Sequence, residues 1–167
     1  MSETEVVKKI KLLVVDDEVD FLAALAERLE MRDFSVRTLT RGEEALALCR
    51  KEKFDLALID LKMPGMDGRE LLDRIKSEHK YLEVIILTGH GSLGSAVECA
   101  KSGAFSYLPK PYQLDELLKV LQEAYTERMK KKFIADKERT ERILELAQGD
   151  SPRRILRRMR ELDNEDR

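Results

Sequence analysis

Five short apolar runs punctuate the first 108 residues, and they constrain the fold more than any other feature. They are Ile10–Val15 (interrupted by Lys11), Phe34–Leu39, Phe54–Ile59, Val84–Leu87 and Ala104–Leu108, with Phe34–Leu39 the weakest. Continuous runs of Val, Ile and Leu this short read as strands covered on both faces. Between them the apolar spacing changes to that of a helix: Phe21, Leu22, Leu25 and Leu29; Ala45, Leu48 and Cys49; Leu71, Leu72 and Ile75; Ala96, Val97 and Ala100; Leu114, Leu117, Leu118 and Leu121. Strand and helix alternate five times. Alternation of that kind predicts an α/β fold with a doubly wound five-stranded parallel sheet, right-handed crossovers and helices on both faces. Ligands of such sheets bind outside the carboxyl ends of the strands.

The residues that end the strands therefore carry the functional argument. The first strand runs into Asp16-Asp17-Glu18, the third into Asp60, the fourth into Thr88-Gly89-His90 and the fifth into Pro109-Lys110-Pro111. Taken singly, each has an ordinary reading. Asp17 could cap the next helix, Asp60 could belong to the turn, Thr88 could finish a strand and Lys110 could be a surface lysine. Together they put three carboxylates, a hydroxyl and an ammonium on one sheet edge. Carboxylates crowded there repel unless a cation joins them. Mg²⁺ takes oxygen ligands, usually one or two carboxylates plus a phosphate oxygen. Phosphoryl transfer needs such a set, because its catalysis is mostly positioning and charge stabilisation. A carboxylate can itself be the nucleophile. Asp60 has the best case for that role, since the Gly-rich turn Met63-Pro64-Gly65-Met66-Asp67-Gly68 follows it. Asp16 and Asp17 then serve the metal.

Several classes are not signalled. The sequence has no phosphate-binding GxxxxGK[ST] loop, no GxGxxG after the first strand, no HExxH and no zinc-spaced Cys/His cluster. Cys49 and Cys99 read as small buried hydrophobes, and His79 as solvated surface. Lys and Arg number 31 against 33 Asp and Glu, a net charge of −2, so no global field points to nucleic acid or membrane. No apolar run approaches the ~18 residues of a membrane span, and MSETEVVKK is no signal peptide. A cytoplasmic protein is expected.

Charge divides the chain near residue 127. Residues 127–167 hold 13 Lys/Arg and 10 Asp/Glu, and residues 1–126 hold 18 and 23. The expected organisation is a domain over 1–126 and a helical C-terminal extension over 127–167. In the extension, Ser151 and Pro152 form a good helix start. Ile155, Leu156, Met159 and Leu162 make an apolar stripe flanked by Arg153, Arg154, Arg157 and Arg158. Gly149-Asp150-Ser151-Pro152 could pass for a helix-turn-helix corner. The acidic run from Glu161 to Asp166 argues against phosphate binding there, so nucleic acid is not expected as a partner.

VVDDE at 14–18, LIDLKMPGMDG at 58–68, ILTGHGS at 86–92 and GAFSYLPKPY at 103–112 resemble, in order and spacing, a bacterial two-component response regulator receiver domain. The resemblance covers roughly residues 8–126. Thr88–Tyr112 is most similar to receivers of the NtrC type, which usually precede an ATPase module and a DNA-binding helix-turn-helix. About 40 residues follow here, too few for an ATPase domain. The resemblance implies a flavodoxin-like sheet of order 2-1-3-4-5 and phosphorylation of Asp60 with Mg²⁺. It implies Asp16, Asp17, Asp60 and the carbonyl of Lys62 as metal ligands, with Asp17 the more direct of the acidic pair. Thr88 and Tyr107 would be the switch, Lys110 the phosphoryl contact and Lys110–Pro111 a cis bond. Lys62 and His90 would flank the path of hydrolytic water. The implied partner is a sensor histidine kinase or a phosphotransfer protein, and a homodimer is an option for the tail. Three alternatives stand beside this reading: a phospho-independent scaffold acting through the tail, a DNA-binding output, and a phosphatase with an Asp nucleophile. The last wants a second Asp where Lys62 stands.

Overall fold

A computed structural model describes residues 8–165 apart from 90 and 150. Its elements run β1 (Ile10–Val15), α1 (Val19–Glu30), β2 (Phe34–Leu39), α2 (Gly42–Lys51), β3 (Leu56–Ile59), α3 (Gly68–Glu78), β4 (Glu83–Thr88), α4 (Leu93–Lys101), β5 (Ser106–Pro109), α5 (Leu114–Ala147) and α6 (Pro152–Glu165). The five strands form one parallel sheet in the order β2-β1-β3-β4-β5, as the alternation predicts. Two strands are displaced from their apolar runs. β3 starts at Leu56, because Phe54 and Asp55 still lie in the loop that enters it. β5 starts at Ser106, after the turn through Gly103.

Period-two alternation on each strand builds two cores from one sheet. Leu12, Val14, Leu56, Leu58, Ile85 and Leu87 pack with Leu22, Leu25 and Leu29 of α1 and Leu117 and Leu121 of α5. Their neighbours Leu13, Val15, Ala57, Ile59, Val84 and Ile86 pack with α2, α3 and Cys99 of α4. Both faces being covered explains why the runs were continuous.

The chain forms two compact units, one ending at Tyr125 and one beginning at Thr126. In the second, the later part of α5 and α6 are joined through the turn at Gly149, and Arg139 is hydrogen-bonded to Asp163. The Ser151 carbonyl accepts from the amides of Arg154 and Ile155, starting α6 where the Ser-Pro pair predicts. Ile155, Met159 and Leu162 are half-buried, but Leu156 is 58% exposed. The expected stripe is thus narrower, because Leu156 falls one position off the face that Ile155 and Met159 share. Asp150 lies outside the described residues.

Candidate functional site

Register delivers the carboxylates. β1 and β3 pair with Val15 opposite Ile59, so the next residues, Asp16 and Asp60, leave adjacent strands together. The Asp60 amide donates to the Val15 carbonyl at 2.9 Å, and the Asp16 amide to Leu39 at 3.1 Å, which carries the ladder one step past the strands. Asp16, Asp17 and Asp60 each offer an oxygen, and these lie within 4.8 Å of one another. Asp16 and Asp60 are buried and Asp17 is exposed.

Each acid is held differently. Asp16 accepts the Glu18 amide on Oδ1 at 2.9 Å and the Lys110 ammonium on Oδ2 at 2.6 Å. Asp17 is not the cap of α1; that place belongs to Glu18, and no side chain caps the helix. Asp60 keeps a buried Oδ1 with no hydrogen-bond partner. Burial pushes its carboxyl up to about 6, helped by the charges of Asp16 and Asp17 and opposed by Lys110 and the Leu61 amide. An orphaned buried carboxylate oxygen beside two more acids suits a hard divalent cation, so the donor set fits Mg²⁺.

The turn after Asp60 is shaped by close backbone approach. A Cβ on Gly68 would lie 2.1 Å from the Asp60 carbonyl oxygen, so that position admits glycine alone. The Glu43 carboxylate accepts the Met66 amide at 3.0 Å, bracing the turn from α2. Asp67 caps α3 by accepting the Glu70 amide. Lys62 stands in this turn and is exposed.

Thr88 ends β4, fully buried, and its carbonyl accepts the Lys110 amide at 2.8 Å. Lys110–Pro111 is cis. Tyr107 on β5 is half-buried, and its hydroxyl lies 3.1 Å from Ser95 Oγ on α4. A Cβ on Gly91 would sit 2.0 Å from that hydroxyl, so the bare backbone of the β4–α4 loop makes room for the tyrosine. Ser95 Oγ also completes a capping box with Ser92, which starts α4. His90 lies outside the described residues.

Sequence reasoning therefore names residues that do converge: Asp16, Asp17 and Asp60 in one cluster, and Lys110 on Asp16. It does not find Glu43, Ser95 or Phe21, whose ring centroid lies 4.0 Å from Lys110 Nζ. Phe21 has the helix spacing of a core residue, and nothing in that spacing links it to a lysine 89 positions later. His79 is not the solvated residue expected: it ends α3, half-buried, with Nε2 buried and without a hydrogen-bond partner. Cys49 and Cys99 are buried as expected, and burial pushes the Cys49 thiol up to about 11.

The family model "Response regulator receiver domain" matches residues 12–122. The chain is 40% identical over 111 residues to the DNA-binding transcriptional regulator NtrC of Salmonella typhimurium, covering 66% of this chain and 24% of that protein. It is 40% identical over 117 residues to the transcriptional regulatory protein GlrR of Escherichia coli, covering 70% and 26%. The chain thus spans about a quarter of the length of these curated relatives. Among solved structures, a CheY-like receiver domain protein of Methanospirillum hungatei superposes with a TM-score of 0.71 at 32% identity, over 74% of this chain and 98% of that one. NtrX of Brucella abortus superposes at 0.72 and 33% identity, over 77% and 30%.

Proposed function

The chain belongs to the response regulator receiver domain family of two-component systems, and we propose that it accepts a phosphoryl group on Asp60 from a phosphohistidine. The family implies a histidine kinase as partner. The observation that carries the assignment to Asp60 is its unpartnered, buried Oδ1 inside the carboxylate cluster. Both carboxylate oxygens of Asp16 already have a donor.

Asp60 Oδ attacks the phosphorus in line, the oxygen–phosphorus bond forms, and the nitrogen–phosphorus bond of the phosphohistidine breaks with its electron pair returning to the imidazole. Asp16, Asp17, Asp60 and the Lys62 carbonyl would hold Mg²⁺, which would supply the positive charge that lets these acids ionise together and would steady charge on the transferred group. Lys110 offers its ammonium to a phosphoryl oxygen, and Thr88 its hydroxyl to another. Drawing Thr88 toward the phosphoryl group opens space for Tyr107 to turn inward. Taking such a switch from 1:99 to 99:1 needs roughly 5.5 kcal/mol of differential stabilisation. The only chemistry in this reading is the chain's own phosphorylation and dephosphorylation.

The readout is a change in partner or homodimer binding, through the face of α4, β5 and α5 or through the helical extension over 127–167, in a cytoplasmic setting. Among the described residues no helix is long and apolar enough to cross a membrane. The name of the NtrC relative adds DNA binding as a rival output, against the expectation from the acidic end of the tail. The matched segment is about a quarter of that protein, so its DNA binding stays with it.

The test is incorporation of acid-labile phosphate from a small phosphodonor with Mg²⁺. The wild type should label and Asp60→Ala should not. Full labelling of the variant would end the assignment.

A further inference from the structure

Two groups meet the Lys110 ammonium: it donates to Asp16 Oδ2 at 2.6 Å, and the Phe21 ring centroid lies 4.0 Å from it. Phe21 stands in the first turn of α1, half-buried. With Lys110, Arg28 and Tyr112 it lines an open groove of about 480 Å³ between α1 and the segment entering α5. The lysine stem is flexible and its ammonium strongly hydrated. Lys110 itself lines the groove, so without the ring its ammonium could swing into it and exchange the carboxylate for water.

We propose that Phe21 is a positioning residue for Lys110: the face of its ring holds the ammonium beside Asp16 and keeps it from swinging out into the groove that both residues line. A cation over an aromatic face within ~6 Å is attracted by the ring quadrupole. The attraction is directional, unlike the burial of an aliphatic side chain of similar size. It also narrows the rotamers Lys110 would otherwise explore, an ordering already complete when the phosphoryl group arrives. The proposal rests on the reading of Asp60 as phosphoacceptor, since it concerns how that reaction's cation is placed. The simpler role for Phe21 is packing, because it also borders the α1–α5 core.

Three variants of the full chain separate the roles: Phe21→Leu removes the π face and keeps apolar bulk, Phe21→Tyr keeps the face, and Lys110→Met removes the cation. Two quantities are measured: the rate of phosphoryl incorporation from phosphoramidate with Mg²⁺, and the proton shift of the Lys110 ε-methylene. In the wild type that methylene should resonate upfield of an ordinary lysine, and the displacement should vanish in Phe21→Leu and persist in Phe21→Tyr. Incorporation should fall roughly three- to tenfold in Phe21→Leu, as the range for such contacts implies, and stay within about twofold of wild type in Phe21→Tyr. On a Lys110→Met background, Phe21→Leu should change nothing further. An equal loss on both backgrounds would make Phe21 a packing residue and overturn the proposal, as would an undisplaced Lys110 methylene. If wild type and Asp60→Ala fail alike to label, the phosphoacceptor reading falls, and the methylene shift alone decides whether Phe21 holds Lys110.

Discussion

At the scale of single residues, Asp60 is a buried acid whose Oδ1 has no hydrogen-bond partner. Without a cation its carboxyl titrates near 6 rather than near 3.8, mainly because burial opposes its charge. A raised carboxylate favours the fold while protonated, so its contribution is complete below about pH 4 and is lost as the pH rises through 6. Asp60→Asn removes that loss. In chelator, urea melts should show the variant no more stable than wild type at pH 4, and more stable by up to about 3 kcal/mol at pH 7.5, from roughly two units at 1.36 kcal/mol each. Adding Mg²⁺ at pH 7.5 should shrink the gap; an unchanged gap would mean that the carboxylates do not hold the cation. Gly91 gives a second residue-scale prediction. In Gly91→Ala the new Cβ would collide with the Tyr107 hydroxyl, so the tyrosine must leave its place against Ser95. The Tyr107 ring resonances should shift strongly, and in Ser95→Ala, which keeps the space, only weakly.

Among the helices packed on the sheet, α4 has the thinnest support. It spans nine residues, Cys99 is its one fully buried side chain, and Leu93 is 84% exposed. Its start depends on the Ser92–Ser95 capping box, and Ser95 is also the partner of Tyr107. Ser92→Ala should cost about 1 kcal/mol, and hydrogen exchange should report the loss first in the opening turn of α4, before α3 or α5. Uniform loss across the sheet would contradict that localisation. The elements were also the most legible part of the sequence, for a physical reason. Strands covered on both faces leave unbroken runs such as Ile10–Val15, and the 3.6 period of Leu22, Leu25 and Leu29 marks the face of α1 that meets the sheet. The carboxylate cluster was legible because chain order places acids directly after parallel strands. Glu43 was not, because its contact with the Met66 amide depends on how α2 lies against the turn, a distance of 23 residues that no local pattern encodes. His79 misled because a polar loop composition says nothing about which ring nitrogen is covered.

For the whole molecule, the sheet is one cooperative body with two cores. Truncating a residue at its centre should therefore unfold both sides at once. Ile85→Ala, at a fully buried position, should cost about 2–5 kcal/mol and lower the denaturation midpoint seen from α1 and from α3 alike. Ligand linkage works in the opposite direction. Beryllofluoride with Mg²⁺ at 100 times its dissociation constant should stabilise the wild type by about 2.7 kcal/mol, and Asp60→Ala should abolish the gain. Parallel strands also sort the loops by purpose. All the reactive side chains leave the strands at one end, while the segments that enter the strands, around Met31–Asp33, Lys53–Asp55, Lys80–Leu82 and Ser102–Ala104, gather at the other. That second rim carries none of the acids, hydroxyl or ammonium, and at Met31 it is 78% open to solvent. It is a ready-made handle: a fluorophore or an inserted reporter fixed there would sit a full strand length from the chemistry, joined to it only through the body it is meant to watch.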